Sequence, residues 1–230
     1  MKWDNAGWFA EQEFLDFVTL AFVAVDLLVC VATEMEGALL QGRVPVLVTG
    51  IGAVNAAIAL TRHLEREGAR SVISCGIAGA YPLAFEELGL GGVVCAESEC
   101  YGDLGAHSAG GFLDLRAMGF PLIGGDVFND LPMGIFPAER RAKFVTVNGC
   151  SGDDAGALAL AARTGGSVEN MEGAAIAHVA MMYGIPAGEI RGISNRAGNR
   201  DRGAWRVRAA AEAAQRALLT WMGTENRHKC

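Results

Sequence analysis

The chain has 230 residues, 51% of them apolar and 20% charged, with 31 glycines; this is enough for one well-filled core, and the length favours one domain over two. Its net charge of -7, with 26 acidic residues against 19 lysines and arginines, argues against a nucleic-acid surface, which depends on clustered cations. Six cysteines without a CxxC pair and four scattered histidines have neither the spacing of a disulfide framework nor that of a zinc site, so no metal is expected and a reduced, cytoplasmic setting is the simple reading.

In chain order, residues 1–24 read as an N-terminal extension to which no role is assigned, and residues 25–230 as one catalytic domain. The apolar run "FLDFVTLAFVAVDLLVCVA" from Phe14 approaches membrane length, but Asp16 and Asp26 interrupt it. A spanning helix needs roughly 20 predominantly apolar residues, and a carboxylate there costs a few kcal/mol. No basic region precedes the run and no small-residue cleavage site follows it, so neither a membrane span nor a signal peptide is expected.

Strand-length apolar runs recur at "LLVCVA", "VPVLVTG", "SVISCGIA", "GGVVCAE", "KFVTVNG" and "GEIRGIS". Helical spacing follows at 53–67, 154–163, 171–183 and 205–221. Continuous rather than alternating apolarity marks strands covered on both faces, so the pattern predicts an α/β domain with a mostly parallel or mixed central sheet. The proline- and glycine-rich stretch 102–137 is expected to be a long irregular excursion of the kind that forms binding loops.

Ligands of open α/β sheets collect where strands end and lead into helices, so the polar residues after each strand deserve inspection. After the first strand, "CVATEMEGALL" places Thr33, Glu34 and Glu36, which read either as a solvated helix start or as holding a general base. "VLVTGIGAVNAAIAL" has Gly50 and Gly52 but Asn55 in the third glycine position, and no acid ends the next strand. A dinucleotide site is therefore disfavoured against a tight packing turn.

In "SCGIAGAY", Gly76, Ala78 and Gly79 suit either a packing turn or the approach of a flat ligand to the main chain. After the last strand come Ser194 and Asn195, readable as a helix cap or as an amide that reads a nucleobase edge. The arginines Arg196, Arg200, Arg202, Arg206 and Arg208 then read as a solvated basic segment or as a site for an anionic group. "SVENMEGAAIAHVAMMYG" opens with Glu169, Asn170, Met171 and Glu172 ahead of an apolar helix.

Taken in order from Leu27 onward, these segments resemble the nucleoside phosphorylase and nucleosidase superfamily. "VENMEGAAIAHVA" is similar to the ribose-binding signature of the methylthioadenosine/S-adenosylhomocysteine nucleosidases, and "VATEMEGALL" looks like their first-strand catalytic segment. "PLIGGDVFNDLP", "VTVNGCSGDDA" and "SNRAGNRDRGAW" look like the futalosine hydrolase branch. The resemblance implies a three-layer α/β/α fold around a mixed, twisted sheet, a nucleoside substrate, water as nucleophile, no cofactor and a homodimer. The implied reaction is cleavage of an N-ribosidic bond with release of hypoxanthine, on a route to menaquinone.

By the same resemblance Glu36 is the general base, with Glu34 its competitor. Glu172 accepts hydrogen bonds from the ribose hydroxyls, Met171 packs on the sugar, and Asn170 is their neighbour. Ala78, Gly79 and Ser194 belong to the substrate site, and Glu169 keeps the plain reading of a strand-end carboxylate. Asn195 departs from the aspartate of the adenine-releasing enzymes, which favours a 6-oxopurine as leaving base. Ala155 and Gly156 replace bulkier residues and imply a reshaped base pocket, while Arg200 or Arg202 is a candidate receiver for an anionic tail. The alternatives are a methylthioadenosine/S-adenosylhomocysteine or other purine nucleosidase, a phosphorylase, and a non-catalytic nucleoside-binding protein.

Overall fold

A computed structural model describes residues 25–225; the N-terminal extension lies outside the described residues. The first half runs β1 (Leu28–Val31), the single turn α1 (Glu34–Gly37), β2 (Val46–Val48), α2 (Ala53–Arg66), β3 (Val72–Ala80), α3 (Pro82–Leu88) and β4 (Val93–Tyr101). The excursion contains a hairpin, β5 (Gly105–Ser108) and β6 (Gly111–Asp114), then α4 (Leu115–Met118) and the two-residue β7 (Leu131–Pro132). The chain finishes with β8 (Arg141–Thr146), α5 (Asp154–Thr164), β9 (Val168–Asn170), α6 (Gly173–Met182), β10 (Ala187–Arg196), a 3-10 turn (Arg202–Ala204) and α7 (Val207–Glu225).

The sheet runs β10-β4-β8-β9-β3-β1-β2, and β10 also pairs with β3. Five strands, β3, β9, β8, β4 and β10, therefore close into a ring, with β1 and β2 fanning out from it. Closure is possible because β3 is long enough to serve two neighbours on one edge. Its start pairs in parallel with β1 at Val72, Ile73 and Ser74, and its end pairs with the antiparallel β9 at Gly79 and Ala80. The sheet is mixed, as the apolar runs predict. The sequence pattern did not anticipate β9 and α3, nor that the excursion carries a hairpin.

β1 illustrates why the runs are uninterrupted. Leu28 and Cys30 enter the core shared with α2 and α6, while Val29 and Val31 enter a second core with Leu218 of α7. Each fully buried side chain of this size contributes on the order of 1.5–3 kcal/mol. α2 and α6 pack against one another on one side of the sheet, and α7 lies along β10 on the other. Helix ends follow local chemistry: Asp153 accepts the Gly156 N–H at 2.8 Å to start α5, and Gly165, at φ 71°, ends it in the left-handed conformation.

α7 approaches β10 so closely that a Cβ at Gly192 would collide with the carbonyl of Ala210. Gly192→Ala is expected to destabilise the fold by about 1–3 kcal/mol through overpacking against rigid backbone. A lowered urea midpoint at unchanged slope is the outcome to look for; an unchanged midpoint would show that the helix yields freely.

Candidate active site

The ends of β1, β3, β9 and β10 surround a cavity of about 390 Å³. Glu36, on α1, is 4% exposed and borders it. Its Oε1 accepts the Ile77 N–H at 3.0 Å and its Oε2 accepts the Thr33 hydroxyl at 2.8 Å, so the carboxylate is fixed in orientation while one edge faces the cavity. Gly76 makes room for this: a Cβ there would strike both the Glu36 carboxylate and the Arg191 guanidinium. Glu34 is exposed on the same turn and is not among the cavity residues.

Glu172, 6% exposed, stands on the same cavity. Its Oε1 accepts the Gly52 N–H at 2.9 Å, and its Oε2 lies 3.6 Å from Arg191 Nη1. Gly52 has φ 97°, a conformation in which only glycine is unstrained; the Gly-x-Gly turn thus presents a backbone donor to a carboxylate. Burial raises the Glu172 carboxyl above its ordinary value, with Arg191 and the Gly52 amide opposing the shift. Asn170 Oδ1 accepts the N–H groups of Glu172 and Gly173 at 2.9 and 2.8 Å, supplying the cap from which α6 starts.

Asn195 sits at another wall of the cavity. The Ser194 hydroxyl donates to its Oδ1 at 2.7 Å, and its Nδ2 donates to the Arg196 carbonyl at 3.1 Å. The second N–H of Nδ2 and the remaining lone pair of Oδ1 are left for a ligand. Met171, Ala78, Gly79 and Ser194 border the same space, and Arg200 stands at its edge with its guanidinium 5.5 Å from the Trp205 ring centroid.

Of the positions named from sequence as site residues, Arg202, like Glu34, is not among the cavity residues; it is exposed in the 3-10 turn. Ala155 and Gly156, read as reshaping the base pocket, are exposed on the first turn of α5 and are not among the residues that border the cavity, which at this loop are Cys150 and Ser151. Glu169, read as a plain strand-end carboxylate, is part of the wall and accepts the Ser151 hydroxyl at 2.7 Å. Burial raises its carboxyl too, while the hydrogen bonds from Ser151 oppose the rise.

Sequence reasoning missed Arg191, which is 1% exposed. It donates through Nε to Glu189 at 2.7 Å and through Nη2 to the Ser74 hydroxyl at 2.8 Å, while Nη1 reaches toward Glu172. A signal was available: "GEIRGIS" sets a glutamate and an arginine two residues apart in a strand otherwise apolar, which puts both on one face. Among the described residues no helix is long and apolar enough to cross a membrane.

The mixed α/β sheet, with two pinned carboxylates gathered at one cavity by its strand ends, occurs in a chain whose sequence matches the phosphorylase superfamily. The profile of that superfamily matches residues 32–220, and the chain belongs to it. Among characterised relatives, the futalosine hydrolase of Thermus thermophilus is 37% identical over 190 residues, covering 78% of this chain and 81% of its own. The futalosine hydrolase of Acidothermus cellulolyticus is 37% identical over 181 residues, 75% of this chain and 72% of its own.

Solved structures with this fold include the futalosine hydrolase of Helicobacter pylori, with a TM-score of 0.72 and 16% identity over 88% of this chain and 99% of that one. The 5'-methylthioadenosine/S-adenosylhomocysteine nucleosidase of Colwellia psychrerythraea in complex with adenine matches with a TM-score of 0.71 and 19% identity over 88% and 96%.

Because the Glu172 carboxyl is raised, it takes up a proton above the ordinary glutamate range as pH falls, and its acceptor capacity toward a ligand is lost there. Carbon NMR of glutamate carboxyls, with Glu172→Gln to assign the resonance, is expected to place its midpoint above those of the exposed glutamates. A midpoint among theirs would contradict the burial argument.

Proposed function

We propose that this protein is a nucleosidase that hydrolyses the N-ribosidic bond of futalosine, releasing hypoxanthine and dehypoxanthine futalosine on a route to menaquinone. The observation that carries the reading is the pair Glu36 and Glu172, each with one oxygen on a backbone N–H and both bordering one buried cavity. The two futalosine hydrolases 37% identical to the chain support the choice of substrate.

Cleaving a ribosidic bond develops positive charge on the sugar and negative charge on the departing base, and needs a nucleophile held against the anomeric carbon. Glu172 takes the ribose hydroxyls in this reading, with Met171 against the sugar ring. Glu36 removes the proton from a water molecule, its orientation already fixed by Ile77 and Thr33. Two carboxylates on one cavity repel phosphate, and the buried cation near them, Arg191, is already engaged by Glu189 and Ser74. These points favour hydrolysis over phosphorolysis.

Asn195 has an N–H free for the base, which suits N7 or O6 of a 6-oxopurine. Such a base leaves with more negative charge than adenine, so hydrogen-bond donation can stand in for the proton that an aspartic acid would give. Arg200, at the cavity edge over Trp205, is the arginine placed to receive the carboxylate of the substrate's tail. A nucleosidase acting on methylthioadenosine or S-adenosylhomocysteine is the second reading, supported by the shared fold.

Incubation with futalosine, inosine and methylthioadenosine, with and without phosphate, is expected to release hypoxanthine from futalosine independently of phosphate; release of adenine instead would overturn the reading. Glu36→Gln is expected to lower kcat by about 10²–10⁴. Arg200→Ala is expected to raise KM for futalosine, with Arg202→Ala near the parent.

We further propose that the enzyme works as a homodimer in the cytoplasm. Val48, Ile51, Val54 and Ile58 form an exposed apolar strip along β2 and α2, and Ile51 also borders the cavity; a second copy covering it would close the site at that side. Four thiols buried without a disulfide, Cys30, Cys75, Cys95 and Cys100, fit a reducing compartment. Sedimentation is expected to give a dimer that Val54→Lys with Ile58→Lys dissociates, and cell fractionation to give the soluble cytoplasmic pool; a parent monomer or a secreted protein would refute these points.

A further inference from the structure

Beneath the cavity lies a group of charged side chains that the reaction itself does not use. Glu99 of β4 and Glu189 of β10 are both fully buried, and their carboxyl groups converge over Gly173, where a Cβ would collide with Glu99 Oε1 and Glu189 Oε2. Glu99 Oε2 lies 3.1 Å from both the Thr146 hydroxyl and the Cys100 N–H, and Glu99 Oε1 accepts from Asn170 Nδ2. Glu189 Oε1 accepts Arg191 Nε at 2.7 Å, whereas its Oε2 is buried and meets no hydrogen-bond donor in the ordinary ionised state of its neighbours. Two ionised carboxylates in contact, with one oxygen left bare, would cost several kcal/mol in such a dry site.

A single proton resolves the conflict. Placed on Glu99 Oε1, it is donated to Glu189 Oε2, and every oxygen of the pair then has a partner. The pair is also connected to Glu172 at two points. Glu99 holds Asn170, whose Oδ1 receives the Glu172 and Gly173 N–H groups; Glu189 holds Arg191, whose Nη1 faces the Glu172 carboxylate.

We propose that Glu99 and Glu189 share one proton and act as a positioning pair, setting the Glu172 backbone through Asn170 and the Glu172 carboxylate through Arg191. The proposal rests on the reading of Glu172 as the holder of the substrate's ribose. Burial first, then the charge of Glu189, pushes the Glu99 carboxyl well above the usual carboxylate range, in line with a proton retained at neutral pH.

The ionisable groups facing the pair are Glu172, Arg191 and the side chains of Tyr81, Tyr101, Cys75, Cys95 and Cys100. Burial pushes Tyr101 and the three thiols up to about 12 and raises Tyr81 as well, and Arg191 stays charged. As pH rises through the raised value of Glu99, the shared proton leaves, a second negative charge appears beside the first, and the support of Glu172 is lost. The pair therefore predicts an alkaline decline in kcat/KM.

Glu189→Gln separates the proton from the charge. The amide keeps an acceptor for Arg191 Nε, and its N–H replaces the shared proton as donor to an ionised Glu99, so the hydrogen bonds are preserved with nothing left to titrate. Glu189→Leu removes both.

Glu189→Gln is expected to stay within about fivefold of the parent kcat/KM on futalosine and to lose the alkaline decline, while Glu189→Leu falls at least about tenfold with a raised KM. Equal damage in the two variants, or an unchanged alkaline limb in Glu189→Gln, would overturn the pair. Infrared spectra of the protein without substrate, at mildly alkaline pH, are expected to show a neutral carboxylic-acid carbonyl band that Glu189→Gln abolishes; its absence from the parent would also overturn the proposal. Should the variants not fold, titration of that band in the parent must track the alkaline loss of activity, and a band outlasting the activity counts against the pair. The infrared signal needs no nucleoside, so a band in a protein that leaves futalosine intact faults the substrate and spares the shared proton.

Discussion

One guanidinium has to serve three carboxylates. Arg191 is almost fully buried, and Glu36, Glu172 and Glu189 all press on it. Without it, these three buried carboxylates would face one another uncompensated in a low-dielectric space, and breaking a buried pair of this kind costs about 3–5 kcal/mol. Much of the surrounding design follows from giving this side chain room. Ser74 meets its far end, Gly76 stays bare beneath it, and β10 is paired on both edges so that the arginine stays in one place.

The closed circuit of five strands is what brings those residues together. β3 and β10 run in parallel, and so bring their carboxyl ends to one side of the ring. β9 joins in the opposite sense and turns at once into α6, which delivers Asn170, Met171 and Glu172 to the rim from the other direction. The cavity is therefore framed by sheet on several sides, and each of its two facing carboxylates, Glu172 and Glu36, is held by a backbone amide, of Gly52 and Ile77, in addition to side-chain partners. Little reorganisation is needed as charge develops in such a setting.

How much of this could be read from the sequence depends on the kind of signal. Strand runs and the α2, α5, α6 and α7 segments were legible to within a few residues because apolar periodicity reports burial directly. β9 was not, since three residues carry no period, and neither was ring closure, which depends on the lengths and edges of strands far apart in the chain.

The candidate site was legible where residues stand at strand ends: Glu36, Glu172 and Asn195 border one cavity. Position along the arginine-rich segment could not separate Arg200 from Arg202, since a 3-10 turn decides which one faces inward. Arg191, Glu99 and Glu189 were hidden by being inside strands, where charge is read as an exception to the pattern rather than as part of a site. For Ala155 and Gly156, sequence adjacency to the base loop could not tell which residues of that loop border the cavity; Cys150 and Ser151 do.

Between Ile193 and Asn195 the register of β10 slips by one residue against β3, so that two residues of β10 advance over a single step of its neighbour. Ser194 is drawn into the wall, and the side chain after it emerges at the cavity without taking part in the apolar core. The side chain at position 195 thereby borders the cavity without being part of the apolar clusters that hold the sheet together. One extra residue in one strand is thus what turns a polar side chain out of the sheet and into the space the sheet encloses.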